Sequence, residues 1–113
     1  MSRPTDIKRL EALAQLVLDQ RLQALKQSAD RLERSRAQLQ AINAGAAPAE
    51  LPPVAAGLVD VAYRRWADLR RTELNGVIAR QTVDWIEDRN HAGAAFGRVQ
   101  ALRGALSRLE RKR

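Results

Sequence analysis

"NAGAAPAELPP", residues 43–53, is the stretch on which the fold of this 113-residue chain turns. Gly45 suits the left-handed conformation that commonly ends a helix. Pro48, Pro52 and Pro53 each remove a backbone donor and block helix continuation. A proline is nevertheless well placed in the first turn of a following helix. The only other proline is Pro4. The pattern predicts helix 1 over about 5–42, a connector at 43–53, and helix 2 over about 54–112.

Composition agrees with an all-α chain forming a single domain. Apolar residues make up 45%, but the aromatics are only Tyr63, Trp66, Trp85 and Phe96. Ala, Leu, Arg and Gln, all strong helix formers, dominate, and β-branched residues are too few for a sheet-based core. The absence of Cys excludes a disulfide framework and thiolate metal sites. "MSRPTDIKRLE" lacks the apolar core of a secretory leader. Residues 43–62 carry Glu50, Asp60 and three prolines, which is incompatible with a bilayer span. A soluble cytoplasmic protein is the simplest expectation.

On helix 1 an apolar stripe runs Ile7, Leu10, Ala14, Leu18, Leu22, Leu25, Ala29, Leu32, Arg36, Leu39. This is heptad spacing with a stutter around Leu18. On helix 2 it runs Leu58, Ala62, Trp66, Leu69 or Arg70, Leu74, Ile78, Thr82, Trp85, Arg89, Ala92, Phe96, Val99, Leu102, Leu106, Leu109. Consecutive four-residue steps occur near Leu74. The two stripes predict an antiparallel two-helix coiled-coil hairpin. With the reversal centred near Pro48, residue i faces roughly 96 − i, and the two irregular stretches lie near each other. Helix 2 is the longer, so residues from about 92 onward are expected to overhang, with the stripe after Ala92 lacking a partner inside the chain. Gly76 in "ELNG" leaves open a turn and a three-helix bundle, and Gly93–Gly97 leaves open a fold-back.

In "RRWADLRR" (64–71), Arg64 lies four residues from both Asp60 and Asp68, and Arg71 lies three from Asp68. These are spacings at which helical side chains meet. The arginines therefore read as a solvated, partly paired face flanking a buried Trp66, rather than as a nucleic-acid surface. Trp85, beside Ile86, is expected in the seam with Leu10 across from it, and Arg36 and Arg89 fall at seam positions. His91 is the sole histidine and has no ligand set around it. No P-loop, Ser-His-Asp pattern or metal motif is present, so neither an enzyme nor a cofactor is expected.

Net charge is +7 and uneven. "RVQALRGALSRLERKR" (98–113) holds six bases and one acid, beyond what favourable interaction with a helix C-terminal dipole requires.

A long first helix, a short break and a longer second helix carrying "WIEDRNHAGAAFGRVQALRGALSRLERKR", with Trp66 near its start, resemble the FliJ/YscO class. These are small coiled-coil stalk proteins of flagellar and injectisome type III export. The resemblance implies a non-enzymatic stalk whose two termini enter the export ATPase ring, with contacts also to an export gate or chaperones. Carried onto this chain, the inserted end is Ile7 and Leu10 with Phe96, Arg98, Leu102, Arg103 and Leu106. Two other readings are open: a basic helical protein that associates with nucleic acid through its C-terminal arm, and a coiled-coil adaptor that dimerises through the stripe after Ala92.

Overall fold

The computed structural model describes residues 3–45 and 53–112. They form two helices, α1 (Arg3–Ala44) and α2 (Pro53–Arg111), and no strand among the described residues. The fold is the expected all-α antiparallel coiled-coil hairpin, with α2 at 59 residues against 42 in α1. Pro4 lies in the first turn of α1 and Pro53 opens α2, where a missing N–H costs no intrahelical bond. Pro48 and Pro52 lie outside the described residues. α2 runs unbroken through Gly76, Gly93, Gly97 and Gly104, so neither a turn at "ELNG" nor a fold-back occurs. Each glycine costs about 1 kcal/mol relative to Ala. The strong helix formers around them and the packed face offset that cost, as is usual for helices in proteins.

Residues 1–29 and 84–113 form one compact unit, and residues 30–83 a second. In the first unit Leu18, Ala95 and Val99 make a buried cluster with Ala14 packed against it, and Ala92 and Ser28 are also buried. Arg103 Nε donates to Glu11 at 3.0 Å, and its Nη2 donates to Gln15 at 3.1 Å. Residue i therefore faces about 115 − i, as Leu18 does with Ala95 and Val99, and Glu11 and Gln15 with Arg103. This corrects both the expected register and the expected overhang. The segment from Ala92 is packed along α1, and its Ala92, Ala95 and Val99 are buried.

In the second unit Ile42, Ala67 and Leu74 form the buried cluster, with Leu39 and Tyr63 against it. Leu32 and Ser35 are buried as well. Tyr63 Oη donates to the Ile42 carbonyl at 2.9 Å, and Arg71 Nε donates to Asn43 Oδ1 at 2.8 Å. Tyr63 thus sits beside the last turn of α1. The turns of α2 before it, Pro53–Ala62, run on past the point where α1 ends. Among the described residues, the length of α2 that α1 does not match lies at its N-terminal end.

Gly45 has no positive φ. Its lack of a side chain leaves room for something else: a Cβ there would meet the Tyr63 hydroxyl, which would have to shift.

The seam of α1 is a regular heptad pattern without a stutter. Its half-buried or buried members include Ile7, Glu11, Ala14, Leu18, Leu25, Ser28, Leu32, Ser35, Leu39 and Ile42. Ser28 is buried beside the half-buried Ala29 and Ser35 takes the place expected for Arg36, while Leu10 and Leu22 are exposed. The Ser28 hydroxyl donates to the Leu25 carbonyl at 3.1 Å, so its burial leaves no donor unmet. On α2 the four-residue steps near Leu74 do occur: Leu74 and Trp85 are separated by eleven residues, while Ala67–Leu74 and Ala92–Val99 keep heptad spacing. Such an insertion locally unwinds a supercoil.

Candidate partner-binding surface

The arginines of 64–71 are largely committed within the chain. Arg64 pairs with Asp60 at 2.9 Å, Arg71 with Asp68 at 3.0 Å, and Arg70 with Glu73 at 3.0 Å. Arg70 also reaches Gln38 at 3.3 Å. These bonds are solvent-exposed and individually weak, and they pair part of the positive charge of this stretch with carboxylates of the same helix.

Trp66 is not in the core. It is 52% exposed, and the buried residue is its neighbour Ala67, at 1%. The side chain instead rests against Tyr63, ring centroids 5.7 Å apart and tilted. A stripe drawn through the largest apolar residue is thus one position out of phase here. The same holds at Phe96, 53% exposed beside the buried Ala95. Small residues take the seam because they let the helix backbones approach, while Trp66 and Phe96 keep part of their rings in water. Trp85 is half-buried, with the Arg89 guanidinium 5.0 Å from its ring centroid. That is cation–π range. Leu10 is exposed rather than opposite Trp85. Arg36, Arg89 and His91 are exposed too, so the two arginines do not occupy the seam.

The seven residues singled out by resemblance all belong to the first unit and divide into two groups. Ile7, Leu102 and Leu106 are half-buried between α1 and α2, and Arg103 is held by Glu11 and Gln15. Leu10, Phe96 and Arg98 are exposed and remain available to a partner.

The stripe missed three further apolar residues. Leu13, Leu16 and Val17 are 59%, 65% and 39% exposed, and with Leu10 they place four large apolar side chains within two turns of α1. Their spacing in "LEALAQLV" marks a second apolar face beside the first.

The unit of residues 1–29 and 84–113 carries twelve Lys/Arg against seven Asp/Glu. Among the described residues no group of three His, Cys, Asp or Glu could hold a metal ion, and no helix is long and apolar enough to cross a membrane. Comparison with protein-family models, curated proteins and solved structures finds no match.

Proposed function

We propose that the protein is a non-enzymatic binding protein that docks through the unit holding both termini. In its specific form it is a stalk for the ATPase ring of a flagellar or injectisome type III export apparatus. The observation that supports this reading is the construction of that unit. The first turns of α1 and the last turns of α2 are knitted by Leu18, Ala95 and Val99 and tied by Arg103 to Glu11 and Gln15. Leu10, Phe96 and Arg98 remain exposed on this paired rod. A contact inserted into a ring requires a stiff paired element with apolar and cationic side chains on its outside, and this unit has both. The ATPase assignment itself comes from the resemblance.

The test is ATP hydrolysis by the cognate export ATPase, titrated with the full chain and with a Leu10→Glu/Phe96→Glu/Arg98→Glu variant. Truncation after Asn90 is unsuitable, because it removes Ala92, Ala95 and Val99 from the buried cluster. Stimulation or ring assembly by the parent chain that the variant loses supports the stalk. No effect of the parent chain ends that reading. Binding to nucleic acid that falls steeply with salt would then favour the basic-protein alternative.

A further inference from the structure

The paired unit of residues 1–29 and 84–113 has two sides of different chemistry. Its seam runs through Glu11, Ala14 and Leu18 on α1 against Val99, Leu102 and Leu106 on α2. In an antiparallel pair, residues that follow the seam residues share one side, and residues that precede them share the other. On the first side the charge is answered within the chain, where Arg103 meets Glu11 and Gln15.

On the other side it is not. At the observed register Leu10 is level with Ala105, Val17 with Arg98, and Arg3 with Lys112. From the level of Arg98 to that of Lys112 this side carries Arg3, Arg98, Arg108 and Lys112 against one acid, Asp6. None of the four cations has an ion pair among the described residues. Arg98 stands beside the exposed Val17, and the exposed Leu10 and Leu13 lie between it and the Arg3–Lys112 end. Arg98 is two heptads from Lys112, about 21 Å along the rod.

We propose that this side is a docking groove for an acidic amphipathic helix of a partner protein, one whose apolar stripe is flanked by Asp or Glu. The stripe covers Leu10, Leu13 and Val17. One carboxylate meets Arg98, and another, two heptads along, meets Arg3 and Lys112. The product is a three-helix coiled coil over this unit, with charges at the flanking positions setting the choice of partner.

Charge selects this occupant. Four cations against one acid call for an acidic surface opposite, whereas a second copy would bring the same cations together. A nucleic acid would answer the charge but leave the three apolar side chains uncovered. An arginine set among apolar neighbours is also a common energetic centre of protein interfaces.

The inference rests on the reading of this unit as the docking end and adds the chemistry of what it docks. It does not require that partner to be an ATPase. The probe is a fluorescently labelled three-heptad peptide with Leu along its stripe and Glu at the flanking positions, compared with a counterpart carrying Lys for Glu. Anisotropy titration with the full chain should show saturable binding of the acidic peptide and none of the basic one. Arg98→Glu should weaken binding roughly tenfold by setting like charges opposite. Leu10→Glu should weaken it roughly 30-fold by removing a covered leucine. Both residues are exposed in the free chain, so circular dichroism of the variants should match the parent. Lys26→Glu makes the same charge change at an exposed position off this side and should leave affinity within about twofold.

No binding of the acidic peptide, equal effects of Arg98→Glu and Lys26→Glu, or equal binding of the basic peptide would overturn the proposal. A short DNA duplex bound more tightly than the acidic peptide, and lost with Arg98→Glu, would overturn it in favour of nucleic acid. Absence of peptide binding beside intact ATPase stimulation overturns this inference alone. Peptide binding without any effect on the ATPase supports it and ends the stalk reading.

Discussion

Arg103 and Glu11 form an ion pair at 3.0 Å across 92 residues of sequence, with Glu11 the more covered partner at 25% side-chain exposure. With Gln15 as the second acceptor, one guanidinium spans a full turn of the opposing helix. Because Arg103 has only one α1 turn within reach in this register, the bond records the pairing as well as stabilising it.

Removing this bond should cost little in stability but measurably loosen the register. For an exposed pair the coupling energy is about 0.5 kcal/mol. A double-mutant cycle of Arg103→Ala and Glu11→Ala, read by thermal unfolding, should return a coupling of that size. A coupling indistinguishable from zero would show that the contact does not persist in solution.

The phase of the seam at 66–67 can be tested by contrast. Ala67→Leu forces three extra heavy atoms into a site that is 1% exposed and should destabilise by about 1–3 kcal/mol. Trp66→Ala removes a half-exposed ring and should cost less than a buried-aromatic deletion, about 1 kcal/mol. Were Trp66→Ala the more damaging change, Trp66 and not Ala67 would be the seam residue.

Gly45 and Tyr63 should be energetically coupled. The Ile42 carbonyl accepts from both the Gly45 amide, at 3.2 Å, and Tyr63 Oη, at 2.9 Å, and the hydroxyl fills the place of a Gly45 side chain. Gly45→Ala should cost about 1–2 kcal/mol by displacing the tyrosine, and Tyr63→Phe about 1 kcal/mol through the lost hydrogen bond. The double variant should be less destabilised than the sum. Strict additivity would argue that the two groups do not touch.

Gln81 carries a buried side-chain oxygen without a hydrogen-bond partner among the described residues. It lies within the eleven-residue step between Leu74 and Trp85, where heptad packing is interrupted. Gln81→Leu, which replaces the unmet acceptor by apolar atoms of similar bulk, should raise the midpoint of chemical unfolding by about 1 kcal/mol equivalent. Destabilisation on this change would mean that the oxygen is satisfied by water.

The helical hairpin could be read from the sequence because its signals are redundant. Residues 43–53 combine glycine with three prolines, and heptad spacing extends through most of α1. The ion pairs of Arg64 and Arg71 were equally legible, since three- and four-residue spacing fixes them locally. The finer features were not. Ranking positions by apolar size put Trp66 and Phe96 in the seam in place of Ala67 and Ala95, and passed over Ser28, whose hydroxyl is satisfied inside its own helix. The register was missed because it depends on how far α2 runs past α1, and no local signal encodes that distance. Of the residues named by resemblance, Leu10, Phe96 and Arg98 are exposed, while the exposed Leu13, Leu16 and Val17 stand outside a single stripe and are recognised only once the seam's phase is known.

The start of α2 has a further consequence in amide exchange. α1 ends at Ala44, so among the described residues no helix lies opposite the turns from Pro53 to Ala62, and Val54, Leu58 and Val61 are exposed. A helical segment of about ten residues is barely stable by itself. It survives here as the continuation of a paired rod. Deuterium should therefore enter these amides through local fraying, at rates that depend little on global unfolding, while the amides of Leu74 and Val99 exchange only when the hairpin opens. A hinge, a cleavage point or a loaded terminus placed in these turns would act without disturbing the rest of the molecule.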